Sequence, residues 1–421
     1  MRHRLQEGLR FESGTGPPPC YRLLLLDAAP GARAAAVGRA LEALTSMLRD
    51  LRRGDSRDLA GQSRAAKAAA REQFDGLHLL LGYGRRFFDE EVHRPRLTHA
   101  TRPDFLAYLA RRPAAFPELP WADPETPNVG EADLVLQLTG DSDAAVSCAA
   151  VECWKLIADD GLPLSVVSSL GGFGRPDGRG WLEFHDGVSN IQSDQRLAAI
   201  EAGGDPQWMR GGTYMALLRV EVDLSTWRRL ERAEQELVIG RDKLSGAALT
   251  AVTRDARGRP VPVAARAPAE SATAEERAAW RDPPQSVDPM LEASHIHRAN
   301  QNRASPSAAG GLRMFRQGYD FLDGFREGTP IVGLNFVSFQ SDLRTLQHVL
   351  HLPGWLGDVN FGGPAEPQAG DPPSPRLLAL RAGGFYAVPP RARPFPGAGL
   401  VGATPRRPAG AGGGSRASRA R

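Results

Sequence analysis

Apolar residues along this chain fall in short runs that alternate with stretches of helical spacing. Residues 21–27 (YRLLLLD) read as a buried strand, and 30–51 carry Ala and Leu at helical intervals. A second strand is expected at 77–83, a short helix at 102–112 entered through Pro103 and Asp104, a third strand at 133–138 (DLVLQL), a helix at 141–157 and a fourth strand at 162–169. That cadence fits helices packed on one face of an antiparallel sheet, a ferredoxin-like sandwich. A second series follows. Residues 213–224 read as a long strand, Ser225 caps a helix running to Gly240, 332–339 (VGLNFVSF) read as a buried strand, 342–350 as a helix and 377–388 as a last strand. Residues 246–290 are rich in Pro, Ala and Arg, have no clear period, and read as a long loop. The two series look like one α+β unit used twice.

Composition narrows the function more than the fold. With 41% hydrophobic and 24% charged residues the chain is globular, and no apolar run reaches membrane-spanning length. Arg2, His3 and Arg4 are followed by no hydrophobic signal core, so a cytoplasmic protein with no membrane partner is expected. A net charge of +3 is too small to argue for nucleic acid. Positive charge is almost all arginine, lysine occurring only at 67, 155 and 243, a bias that GC-rich coding explains. Cys20, Cys148 and Cys153 form no metal-type pair. Residues 403–421 hold five arginines and no acid, and read as a disordered tail.

Three separated stretches carry the candidate chemistry: Glu183-Phe-His-Asp-Gly187, Ser294-His-Ile-His-Arg-Ala-Asn300 and Arg313-Met-Phe-Arg-Gln-Gly-Tyr319. Together they supply an acid (Asp186), an imidazole (His295) and a fixed cation (Arg313), the last eighteen positions after His295. A carboxylate can carry a proton, a guanidinium can stabilise developing charge, and a neutral imidazole can bind a metal ion. Gly187 lets the backbone approach a flat ligand closely. Standing alone, Asp186-Gly187 reads as a turn and His295 as a surface residue. Asp342, in Phe339-Gln-Ser-Asp342, is a candidate carboxylate behind His295, with the N-cap of the next helix as an equal reading. Asn190 is placed as a brace of the Asp186 loop. Trp181, Trp208, Tyr214 and Tyr319 are core aromatics or radical carriers, and the sequence does not choose.

At these residues the chain resembles the dye-decolorizing peroxidases, a haem family with a Gly-x-x-Asp-Gly motif. Further likeness lies in Trp208-Met-Arg-Gly-Gly-Thr-Tyr214, Arg232 to Arg241, Gly333-Leu-Asn-Phe-Val-Ser-Phe-Gln340 and Phe385-Tyr-Ala-Val-Pro-Pro390. The resemblance implies two ferredoxin-like domains of the dimeric α+β barrel type: 20–195 with the Asp186 loop, and 205–402 with the long loop, after an extension at 1–19. It implies haem b held by His295, with Asp186 and Arg313 on the distal side; Gly187, Asn190, His297, Arg298 and Asp342 are the further candidates for its surroundings. The implied activity is oxidation of an organic donor by hydrogen peroxide through a high-valent ferryl intermediate. The alternatives are a tailoring oxidase for one metabolite or peptide, or a non-catalytic haem-binding protein. The sequence allows a homo-oligomer. Two departures stand out. The first glycine of the signature is Glu183, expected to crowd the pocket or alter its charge, and the family's usual His-Ile-Arg-Arg reads His295-Ile-His-Arg298.

Overall fold

The computed structural model describes residues 4–9, 16–59, 61–106, 130–191, 193–282, 288–299, 313–350 and 377–402. In its first half run β1 (Cys20–Ala28), α1 (Ala34–Leu51), α2 (Arg64–Phe74), β2 (His78–Gly84), β3 (Leu134–Gly140), α3 (Asp143–Asp159), β4 (Leu164–Phe173) and α4 (Ser193–Ile200). The second half holds β5 (Thr213–Val222), α5 (Leu224–Trp227), α6 (Arg232–Ile239), β6 (Leu249–Arg254), β7 (Pro260–Ala264), α7 (Ala274–Arg281), α8 (Pro289–Glu292) and α9 (His295–Ala299). It ends with β8 (Phe315–Arg326), β9 (Thr329–Gln340), α10 (Arg344–Leu350) and β10 (Leu378–Val388).

Eight strands close into one antiparallel barrel in the order β1-β3-β2-β10-β5-β9-β8-β4. Each half contributes four neighbouring strands, and both follow the same order: β4-β1-β3-β2 and β10-β5-β9-β8. The two seams are short. β10 meets β2 only at Tyr386↔Gly84 and Ala387↔Tyr83, and β4 meets β8 at Phe173↔Asp320.

Period-two alternation explains why the strands look apolar throughout. Leu23 and Leu25 point into the barrel with Tyr21, Val135, Leu217, Tyr319 and Val337. Leu24 and Leu26 point out, under α1 and α3, with Leu136, Leu41, Leu44 and Cys153. On the opposite outer face Ala216, Leu218, Phe336 and Leu380 pack with Phe184, Trp227 and Leu346. Burying one such Leu or Phe contributes roughly 1.5–3 kcal/mol. Part of the N-terminal extension belongs to this core. Leu5 and Leu9 lie in the barrel cluster, and the Gln6 amide donates to the carbonyls of Leu81 and Pro389 while accepting from Leu81 N.

Several expectations change. Residues 246–290 contain the hairpin β6–β7 and the helix α7, closed by a Thr273–Glu276 capping box. The helix expected from Ser225 to Gly240 is split into α5 and α6, and Asp223, not Ser225, caps α5 by accepting from Thr226 N. α2 and β8 were not anticipated. Of the helix expected at 102–112, a 3-10 turn at Asp104–Leu106 is described; its remainder, like the tail 403–421, lies outside the described residues. Among the described residues no helix is long and apolar enough to cross a membrane.

Candidate active site

β8 forms the floor of the site. Its inward residues Phe315 and Tyr319 fill the barrel, and inward Gln317 donates to the Gly8 carbonyl. Arg316, Gly318 and Asp320 therefore share the outer face, beside Ser338, Phe336 and Leu334 on β9.

The segment after β4 folds back over that face. Asp177 accepts from Arg179 N (3.1 Å), Asp186 N donates to Gly178 O (2.8 Å), and Arg179 and His185 form an isolated bridge. Arg179 ties the loop down by donating to the carbonyls of Glu183 (2.6 Å), Lys243 (2.7 Å) and Leu244 (3.0 Å). Its guanidinium also faces His185 Nε2 at 2.9 Å, a contact in which only arginine can donate, so His185 is part of this anchor. Glu183 stands at the turn with φ 65, the left-handed conformation that a glycine adopts freely. Its carboxylate does not crowd the site: it points outward to Arg175 at 3.0 Å, half exposed.

Asp186 Oδ1 accepts from Gly187 N (2.6 Å). Its Oδ2 lies against Gly318, only 2.6 Å from where a β-carbon would stand, so a side chain on Gly318 would displace the carboxylate. Asn190 clamps the loop to β8: its Nδ2 donates to Arg316 O (2.7 Å) and its Oδ1 accepts from Arg316 N (3.0 Å).

His295 opens α9. Ser294 Oγ donates to Leu291 O (2.7 Å) and contacts His297 Nδ1 (2.8 Å), which turns His297 back onto its own helix turn. α6 ends in Gly240 at φ 88, and a β-carbon there would meet Ser294 Oγ at 2.5 Å and Ile296 at 2.7 Å. Arg241 follows, buried, donating to Gly246 O (2.9 Å) and Ser189 Oγ (2.7 Å), which links the His295 neighbourhood to the Asp186 loop. Burial, then Arg316 and Arg241, push the His295 imidazole down to about 3, so it is neutral at ordinary pH, the form that binds a metal ion.

Two of the expected residues have other partners here. Arg313 donates to Gln195 Oε1 (2.6 Å) at an exposed position, whereas Arg316 is the cation on the same strand face as Gly318 and acts on His295. Asp342 heads α10, accepting from Arg344 N (2.9 Å) and pairing with the Arg344 guanidinium; the cations Arg316 and Arg241 both act on His295. Arg316, Gly318 and Asp320 are not legible as site residues without β8 as a strand, and Arg241 lies apart from it, just after the end of α6. The available signal was the alternation of Phe315, Gln317 and Tyr319 with Arg316, Gly318 and Asp320.

The family model for the Dyp-type peroxidase C-terminal region matches residues 177–358, which include the Asp186 loop, His295 and β8. The dye-decolorizing peroxidase of Thermobifida fusca is 32% identical over 254 residues, 56% of this chain and 53% of that protein. The deferrochelatase of Escherichia coli is 29% identical over 170 residues, 39% of this chain and 34% of that protein. The chain thus spans about half the length of the first relative and about a third of the second. Among solved structures, a DyP-type peroxidase from Cellulomonas bogoriensis superposes with a TM-score of 0.65 at 22% identity, covering 94% of this chain and 97% of that one. Ferric DtpA from Streptomyces lividans gives 0.63 at 20%, covering 94% and 96%. A Rhodococcus jostii DypB variant in complex with heme gives 0.56 at 18%, covering 92% and 97%. These likenesses establish a shared α+β barrel fold, and residues 177–358 are similar to the Dyp-type peroxidase C-terminal region.

Proposed function

We propose that this chain is a haem b peroxidase that uses hydrogen peroxide to oxidise an organic donor. The observation that carries the reading is a neutral, half-buried His295 acted on by Arg316, which lies on the strand face over which the Asp186 loop folds. The residues fit the group. A neutral imidazole suits an iron ligand, Arg316 and Arg241 suit the anionic edge of a macrocycle, and Phe184, Leu218 and Phe336 offer an apolar wall. His297 and Arg298, on the last turn of α9, and Gly187 complete the expected surroundings.

Haem, when bound, supplies the redox-active iron that takes up the oxidising equivalents of peroxide. The chain's own residues do the rest. His295 would hold the iron. Asp186, as carboxylate, takes a proton from one peroxide oxygen and returns it to the other, which leaves as water. Arg316, in the role the sequence assigned to Arg313, stabilises the charge that develops as the O–O bond breaks. Two electrons from the organic donor and two protons complete reduction to two waters. A carrier would need neither Asp186 nor Arg316.

The proposal extends to architecture and setting. The repeated β10-β5-β9-β8 and β4-β1-β3-β2 orders support two ferredoxin-like units, 20–195 and 205–402, joined as a dimeric α+β barrel. Three free cysteines suit the cytoplasm.

The test compares variants by absorption. His295→Ala should lose haem. Arg316→Leu should keep it but slow the reaction with peroxide by ~100–1000-fold, while Arg313→Leu should leave that rate unchanged. A slow Arg313→Leu beside an unaffected Arg316→Leu would return the role to Arg313. Haem retained in His295→Ala would remove the ligand assignment.

A further inference from the structure

We infer that Asp320 is a second carboxylate of the distal site, which shares one proton with Asp186 and keeps a proton beside the group that moves it. This rests on the reading of Asp186 as proton carrier and adds a residue that acts through it.

The argument begins with the spacing on β8. Residues on one face of a strand stand about 6.6 Å apart at two rises of ~3.3 Å. Gly318 has no side chain, and its space is taken by the Asp186 carboxylate, with Oδ2 2.6 Å from a β-carbon placed there. Asp320 is the next residue on that face, only 6% exposed. The same loop roofs it: a β-carbon on Gly180 would lie 3.6 and 4.0 Å from the two Asp320 oxygens. One loop thus lays Asp186 over one β8 position and Gly180 over the next.

Nothing nearby holds Asp320 as an anion. Its cross-strand neighbours, Leu334 on β9 and Phe173 on β4, are apolar. Among the described residues no group donates a hydrogen bond to its carboxylate. The charged groups that act on it most come from the loop: Asp186, Arg175, Asp177 and Glu183. The cation among these, Arg175, is engaged by Asp177 (2.7 Å) and Glu183 (3.0 Å). A buried carboxyl beside another carboxylate keeps its proton, since two like charges at one site do not both ionise. Burial first and Asp186 second push Asp320 up to about 7.

The proton balance is simple. Asp186 ends a transfer as carboxylate once its proton has left with water. The Asp320 carboxyl gives up its proton to Asp186, becomes the carboxylate itself, and is refilled from solvent. The pair carries one negative charge before and after, and peroxide reduction draws its two electrons from the organic donor.

Infrared difference titration of the haem-loaded protein tests this. Wild type should lose a carboxylic-acid C=O band near neutral pH, and Asp320→Asn should lack that band. In Asp186→Asn the band should remain but titrate ~1 pH unit or more lower. The pH profile of the peroxide reaction should show a limb near neutrality in wild type that vanishes in Asp320→Asn and returns in Asp320→Glu, with haem content unchanged. An absent neutral band in wild type, or an Asp320→Asn profile identical to wild type, overturns the inference. If Asp320→Asn fails to fold, the wild-type and Asp186→Asn titrations still decide it. Full peroxide reactivity in Asp186→Asn would instead sink the role of Asp186, whatever Asp320 does.

Discussion

Glu183 holds a backbone conformation that costs a side-chain-bearing residue roughly 1–2 kcal/mol, with φ 65 at the place where the family signature has glycine. Its return is an exposed ion pair with Arg175, a type of contact worth about 0–1 kcal/mol. The backbone term is the larger, so Glu183→Gly should stabilise the fold by about 1 kcal/mol or less, read as a higher urea midpoint with unchanged slope. A lower midpoint would show that the Arg175–Asp177–Glu183 cluster outweighs the strain. The sequence shows that the glycine is missing. It cannot show that the loop keeps the glycine's conformation, or that the new carboxylate faces solvent while Asp320 becomes the acidic neighbour of Asp186. Arg316 was hidden for a related reason: two arginines three positions apart are equivalent in a string of letters, and only the direction of β8 separates them.

Among the elements, strands with apolar side chains on both faces were legible, and β8, with its polar outer face, was not. β1 and β9 announce themselves through Leu23 to Leu26 and through VGLNFVSF. β8 does not, because its outer face carries Arg316, Gly318 and Asp320, and a barrel position is filled by the hydrogen-bonded Gln317. The hairpin β6–β7 was equally opaque, since Val261 and Val263 are exposed and the prolines mask the alternation. At this scale the junction of α6 with α9 is the sensitive point. Gly240→Ala and Gly258→Ala both place a side chain at positive φ, 88 and 76, each costing roughly 1–2 kcal/mol. Only Gly240 adds a clash, with Ser294 and Ile296 next to His295, whereas nothing lies near Gly258. Gly240→Ala should therefore speed haem release to apo-myoglobin, and Gly258→Ala should not. Equal release rates would mean that α9 does not depend on this junction.

For the molecule as a whole, the first four barrel strands could be read one by one, and so could the repetition of an α+β unit. Closure could not, because it rests on very few residues: Tyr83, Gly84, Tyr386 and Ala387 at one seam, Phe173 and Asp320 at the other. Interior pairs such as β5 with β9 run from Tyr214↔Gln340 to Glu221↔Gly333 without a break. That contrast marks the β4–β8 seam as a short closure. It lies at the root of the segment that carries Asp186, so opening it would lift Gly180 from over Asp320. Amide hydrogen exchange should show the segment 173–190 opening at lower free energy than the centre of β5 and β9. Haem uptake should slow exchange there more than at the β2–β10 seam. If the two seams responded alike, the cofactor would have to enter by a path that leaves this side of the barrel shut.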